Sequence, residues 1–288
     1  YHDAREGGNR SEQLWAEEYR LCAQIGRYPK PYVALMDGIV LGGGVGVSAH
    51  GSIRVVTDSS RVGMPETTIG FIPDVGGTYL LSRSPGRLGE HVALTGMHLS
   101  GSDAIAVGLA DYFVPGSRLV ALTEALAESQ FADPVEIVRS LAVDPPASSL
   151  AAQQPWVDEC YAADSVSEIV DRLECSTDPA ARAAAAELTT KSPTALVATL
   201  MSLRSARNLP HLEAVLDQEY RVSLRAFAAP DFAEGIRAKI IDKDRDPRWQ
   251  PATLDMVEAS TVASHFASLG PKELGLADAR DPDAVPVG

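Results

Sequence analysis

"PYVALMDGIVLGGGVGVSAHGSIRVVTD", residues 31–58, sets two apolar runs rich in β-branched residues on either side of a block of glycines and small side chains. "YVALMDGIV" is short and apolar and reads as one buried strand. "LGGGVGVSAHGS" suits the start of a closely packed helix, and "IRVVTD" reads as a second strand. The order is an α/β alternation. Upstream, residues 10–28 carry Leu14, Trp15, Tyr19, Leu21 or Cys22, and Ile25 at three- and four-residue steps, which predicts an amphipathic helix ending near Gly26. Downstream come a short strand in "RVGMPE", helical "TYLLSRS" and "EHVALTG", a helix start capped by Ser102 or Asp103, and a strand in "ADYFV". From about residue 117 the chain turns into long Ala/Leu/Glu-rich helical segments joined by "DPP", "TDP" and "NLP" breakers. Two regions follow, an α/β part at 1–116 and a helical part at 117–288.

The 288 residues are enough for a large core. With 25 Lys and Arg against 39 Asp and Glu, the net charge of −14 repels a phosphate backbone and an anionic membrane surface. Neither nucleic acid nor membrane is expected as a partner. No apolar run reaches the ~18 residues of a spanning helix, so the chain reads as soluble. Cys22, Cys160 and Cys175 are odd in number and form no C-x-x-C, which argues against a disulfide framework or a thiolate metal site and suits a reducing compartment.

Three stretches are candidates for chemistry. The amides of Gly42, Gly43 and Gly44 lie between a strand and a helix, where they can point at a ligand oxygen. "GVGVSA", Gly44–Ala49, with Asp58 after it, imitates a dinucleotide fingerprint, but the acid comes too early. The alternatives are an oxyanion hole, worth roughly 3 kcal/mol per donor, and glycines serving only close packing. The second stretch, "MPETTIGFIPDVGG", Met64–Gly77, puts Glu66 and Asp74 among apolar residues, glycines and prolines. One unbroken helix would hold them about 12 Å apart. Gly70 and Pro73 break it and let the chain fold back, bringing two carboxyls to one small substrate, where apolar surroundings divide acid and base roles. Glu66 alone also suits a helix start. In the third, "IDKDRDP", Ile241–Pro247, lysine and arginine interrupt the acids, so it reads as an exposed salt-bridged turn and not an EF-hand loop. His50 reads as a core or cap residue, and no H-E-x-x-H or G-x-S-x-G occurs. No metal is expected.

Together, "PYVALMDGIVLGGGVGVSAHG", "MPETTIGFIPDVGGTYLLSR", "SGSDAIAVGLADYFVP" and "FAEGIRAKIIDKDRDPRWQP" resemble the enoyl-CoA hydratase/isomerase (crotonase) superfamily, and within it the 3-hydroxyisobutyryl-CoA hydrolase branch. The resemblance covers about residues 10–270 and implies a spiral of ββα units with a helical C-terminal region. It also implies an acyl-CoA substrate, with coenzyme A as part of that substrate and no separate cofactor. It places an oxyanion amide at Gly43, beside Gly42, and catalytic carboxylates at Glu66 and Asp74. A substrate-contacting acid falls on Glu18. A hydratase has a second glutamate where this chain has Gly46, so hydrolysis of a thioester from valine breakdown is implied over hydration. An enoyl-CoA hydratase or isomerase and a non-catalytic acyl-CoA-binding subunit are the alternatives. Family members also carry an earlier "A-G-G-D" loop with the other oxyanion amide. The sequence opens after that loop at "YHDAREGG", so the polypeptide as written is expected to lack strands and half of the oxyanion hole. The resemblance leaves dimer, trimer or hexamer open and implies a bacterial, cytoplasmic protein.

Overall fold

The structure is a computed structural model describing residues 8–128 and 132–280, together with Asp3. Its strands are β1 (Val33–Met36), β2 (Ile39–Leu41), β3 (Ile53–Val56), β4 (Arg61–Gly63) and β5 (Tyr112–Phe113). They form two parallel sheets, β1-β3-β5 and β2-β4, in which Val33 faces Ile53, Val55 faces Tyr112, and Ile39 faces Arg61. Each of the first two strand pairs in sequence gives one strand to either sheet, which is how a ββα spiral advances. Among the helices before residue 117 are α1 (Arg10–Gly26), α2 (Gly43–Ser48), α3 (Gly77–Leu81), α4 (Leu88–Thr95) and α5 (Gly101–Ala106). The later ones include α6 (Leu119–Glu128), α7 (Pro134–Leu141), α8 (Gln154–Tyr161), α9 (Val166–Cys175), α10 (Pro179–Leu188), α11 (Pro193–Ala206), α12 (Leu212–Ala228) and α13 (Pro230–Ile236).

"YVALMDGIV" is therefore not one strand. Gly38 has φ +72°, a left-handed conformation open to glycine, and it turns the chain from one sheet to the other. The corner is fixed by Asp37, whose carboxylate accepts the hydroxyls of Thr57 at 2.5 Å and of Ser59, and by Ser60, whose hydroxyl donates to the Met36 carbonyl at 2.6 Å. The cap of α5 also differs from expectation. Ser100, not Ser102 or Asp103, is in extended backbone ahead of the helix and accepts from the Asp103 amide. On α1 the inward residues are Ala16, Tyr19, Cys22, Ala23 and Ile25, whereas Leu14 and Leu21 stand exposed, so Cys22 takes the position that its spacing shared with Leu21.

Pro at the first turn and an Asp or Ser cap start α7, α10 and α11, which explains why the "DP" and "SP" pairs open helices in the C-terminal region. α12 packs against α1, α3, α11 and α13. One apolar cluster runs from Tyr19 and Met36 through Val62 and Leu94 to Leu173, Leu200 and Leu216, so the helical region shares the core of the sheets. Next to it, Trp15 stacks on Phe71 at 5.2 Å and meets Phe227 edge-on at 5.2 Å, tying α1 to the loop after Glu66 and to α12. Among the described residues no helix is long and apolar enough to cross a membrane.

Candidate active site

The "MPETTIGFIPDVGG" stretch folds back as its breakers demand. Glu66 opens a single 3₁₀ turn, Glu66–Ile69, which Gly70 ends at φ +71°. A Cβ on Gly70 would lie 2.5 Å from the Asp231 carbonyl, and one on Gly235 2.4 Å from the Ile69 backbone, so two glycines let α13 press against this turn. That contact gives "FAEGI" its place behind the site. Past Pro73, Val75 and Gly76 are both left-handed, at φ 51° and 80°. A β-branched residue with positive φ is strained by on the order of 1–3 kcal/mol. The His50 imidazole donates to the Val75 carbonyl at 2.7 Å and helps to hold this turn, which gives His50 a structural task. Burial holds its pKa below the usual histidine value.

The five candidate residues, Gly42, Gly43, Glu18, Glu66 and Asp74, lie together. A Cβ on Gly42 would be 2.8 Å from Glu66 Oε1, and a Cβ on Gly43 would be 2.8 Å from Glu18 Oε1. Gly42, with φ 53°, precedes α2, and the amides of Gly43 and Gly44 are first-turn donors with no carbonyl inside the helix to meet. The backbone at Gly42 and Gly43 thus lies against Glu66 and Glu18 respectively. Asp74 accepts from the Tyr19 hydroxyl at 2.9 Å, and Tyr19 is also 2.9 Å from the Ser223 hydroxyl. Glu66 Oε2 is buried with no hydrogen-bond partner among the described residues.

Electrostatics bind the two carboxyls into one unit. Burial, and then the charge of Asp74, push the Glu66 carboxyl well above the usual carboxylate range. Burial raises Asp74 to about 7, against the lowering effect of the Tyr19 hydrogen bond. Two such groups, coupled in an apolar wall, favour holding one proton between them near neutrality. Glu18, half-buried, is raised by desolvation alone.

This has a consequence for stability. Glu66 and Asp74 bind protons more tightly in the folded than in the unfolded chain, so their contribution is fully present below the ordinary carboxylate range. It is lost as pH rises through the folded values, about 7 for Asp74. Asp74→Asn is therefore expected to raise the melting temperature at pH ~8 by about 5 °C and by less than half as much at pH ~5, partway through the window. Thermal unfolding of both proteins at the two pH values checks this.

Where a hydratase glutamate would stand, there is no room. A Cβ on Gly46 would lie 2.6 Å from Val75 Cβ and 3.1 Å from Cys22 Sγ. The dinucleotide alternative fares no better, because Asp58 accepts from the Gly116 amide at 2.8 Å and is engaged in that loop. "IDKDRDP" is a salt-bridged turn, with Arg237 reaching Asp242 at 2.8 Å and Asp244 at 2.6 Å. Among the described residues no group of three His, Cys, Asp or Glu is arranged to hold a metal ion, and all three cysteines are free.

Sequence reasoning missed Glu219. Fully buried on α12, it accepts from the Gly76 amide at 2.6 Å, the Thr78 amide at 2.9 Å and the Thr78 hydroxyl at 2.5 Å. The signal was present: in the inward stripe Leu212, Leu216, Glu219, Ser223 and Ala226, at alternating steps of four and three, one member is an acid.

A spiral of ββα units with backbone donors at a glycine-rich helix start, facing paired carboxylates, defines an acyl-thioester enzyme of the crotonase type. The chain belongs to the enoyl-CoA hydratase/isomerase family, whose model matches residues 1–266. It is 39% identical to the mitochondrial 3-hydroxyisobutyryl-CoA hydrolase of Xenopus tropicalis, over 95% of this chain and 73% of that protein. Among solved structures it is 51% identical to a carnitinyl-CoA dehydratase from Mycobacterium thermoresistibile, with a TM-score of 0.90 over 95% of this chain and 78% of that one. An enoyl-CoA hydratase from Rhodobacter sphaeroides is 42% identical, with a TM-score of 0.85 over 91% of this chain and 76% of that one.

One expectation is corrected here. The curated relatives from Xenopus and from human are mitochondrial proteins, which overturns the bacterial cytoplasmic assignment. An acidic chain with free thiols fits any reducing compartment, so composition held no information on which one.

Proposed function

We propose that the protein hydrolyses 3-hydroxyisobutyryl-CoA to the free acid and coenzyme A, a step of valine breakdown. The observation that carries this reading is the pairing of Glu66 with Asp74 beside Gly42 and Gly43, while the Gly46 position is closed by Val75 and Cys22. Adding water across a double bond needs one group to activate water and another to deliver a proton to carbon. With Gly46 in the second place, that pair is absent. Thioester hydrolysis needs less: an amide to polarise the carbonyl, a carboxylate to attack it or to activate water, and a proton for the departing thiolate.

In this mechanism the Gly43 amide donates to the thioester oxygen. In the state in which the pair's proton sits on Asp74, ionised Glu66, with one oxygen unpartnered, takes the proton of the attacking water, or attacks the carbonyl carbon to give an anhydride that water then cleaves. Asp74, tethered by Tyr19, positions water and passes a proton to sulfur as the C–S bond breaks. Glu18 accepts from the 3-hydroxyl. The names of the curated relatives support the hydrolase reading, whereas those of the two solved structures favour hydration as a second reading, which the retained Glu66 also permits.

Thiol release over a panel of acyl-CoA esters tests the proposal. The 3-hydroxyisobutyryl ester is expected to be turned over best, and Glu18→Ala should raise its KM about 10-fold while leaving isobutyryl-CoA nearly unaffected, since only the former has the hydroxyl to lose. Equal effects on both esters would remove Glu18 from the hydroxyl.

A further inference from the structure

The Val75–Gly76 turn behind Asp74 is strained and lies in an apolar wall, yet it has one definite conformation. Its fixings come from distant parts of the chain. His50 takes the Val75 carbonyl, and Leu212 closes on Gly76, where a Cβ would lie 2.7 Å from Leu212 Cδ1. The strongest fixing is Glu219, whose two oxygens take two backbone amides and one hydroxyl on the far side of the same turn. Three donors meet one buried carboxyl, so that neither of its oxygens is left without a partner. On the next turn of α12, Ser223 meets Tyr19, which in turn meets Asp74. One face of one helix thus holds the turn after Asp74 by Glu219 at Gly76 and Thr78, and the Asp74 carboxylate by Ser223 through Tyr19.

We propose that Glu219 is a positioning residue: by clamping Gly76 and Thr78 it fixes the left-handed turn and so holds the Asp74 carboxylate where Tyr19 and Glu66 reach it. The inference rests on the hydrolase reading for its kinetic consequence and on geometry alone for the clamp. Glu219 touches no reacting atom. Its loss acts by letting Asp74 wander, and a displacement of about 1 Å at a catalytic group costs on the order of 10²-fold in rate.

The test uses the full chain with Glu219→Gln, which keeps the volume but must turn an amide N–H toward one of the donors. Thr78→Val, which removes only the hydroxyl, is the second variant should the first fail to fold. Amide hydrogen exchange without substrate reads the clamp: at Gly76 and Thr78 it should speed up about 10-fold in Glu219→Gln, the equivalent of one hydrogen bond lost, with α4 unchanged. In thiol release, kcat should fall by about 10²-fold in Glu219→Gln and about 3-fold in Thr78→Val, with KM nearly constant in both. Wild-type exchange at Gly76 and Thr78 overturns the clamp. Faster exchange with an unchanged kcat, or a loss expressed in KM alone, overturns the positioning role. An unaltered chain that releases thiol from no ester, yet whose amides respond to Glu219→Gln, sinks the hydrolase reading and leaves the clamp standing.

Discussion

Asp74→Asn should fold, melt higher than the unaltered protein at pH ~8, and release thiol about 10²-fold more slowly or worse, the usual contribution of a positioned acid or base. Asparagine keeps the shape and can still accept from Tyr19 at the 2.9 Å position, so the loss reports the proton and the charge and not a collapsed loop. Glu66→Gln should cost at least as much, because Glu66 is the carboxylate against Gly42 and has one oxygen without a partner. The double variant should be little slower than the worse single one. Groups that share one proton act as a unit, and removing either already removes the unit. Full activity in both single variants would dismiss the pair from the chemistry. A gain of stability beside a loss of rate separates this outcome from simple unfolding, since burying two coupled carboxyls is a cost the fold carries for function.

Gly46→Glu is the second large effect. In an exposed helix, replacing glycine gains about 1 kcal/mol from propensity alone. Here the first carbon added already lies 2.6 Å from Val75 Cβ, and Val75 cannot retreat without unwinding the left-handed turn that carries Asp74. Overpacking is thus expected to win, with a loss of about 3 kcal/mol or more in denaturant unfolding for glutamate and a smaller loss for Gly46→Ala. Adding Val75→Ala to Gly46→Ala should restore part of that loss by opening the contact. The Glu variant should gain no hydratase activity, because the new carboxylate has no room beside Glu66. A Gly46→Glu protein as stable as the parent and able to hydrate crotonyl-CoA would mean that the distinction between hydrolase and hydratase does not reside at this position.

Local chemistry was legible wherever residues close in sequence decide the outcome. The glycine cluster, the fold-back forced by Gly70 and Pro73, and the breakers between the C-terminal helices follow from backbone restrictions on those very residues. Boundaries were less legible. "YVALMDGIV" is continuous in hydropathy, and only the "DG" inside it records that the chain changes sheets at Gly38. Ser100 won the cap over Ser102 and Asp103 because the cap needs extended backbone as well as an oxygen, and hydropathy does not report φ and ψ. Glu219 was the least legible, since its partners Gly76 and Thr78 lie 143 and 141 residues away. Only its position in the apolar stripe of α12 marked it, and a buried acid in such a stripe is informative because ordinary helices place acids on the solvated face.

The central claim is that these carboxylates cut a thioester and do not hydrate a double bond. The most direct measurement follows, on one preparation of the protein, the release of coenzyme A thiol from 3-hydroxyisobutyryl-CoA and the loss of enoyl absorbance from crotonyl-CoA. Rapid thiol release with steady enoyl absorbance, the former abolished by Asp74→Asn, is the predicted result. Loss of the enoyl absorbance with no free thiol from the hydroxyacyl ester would contradict it.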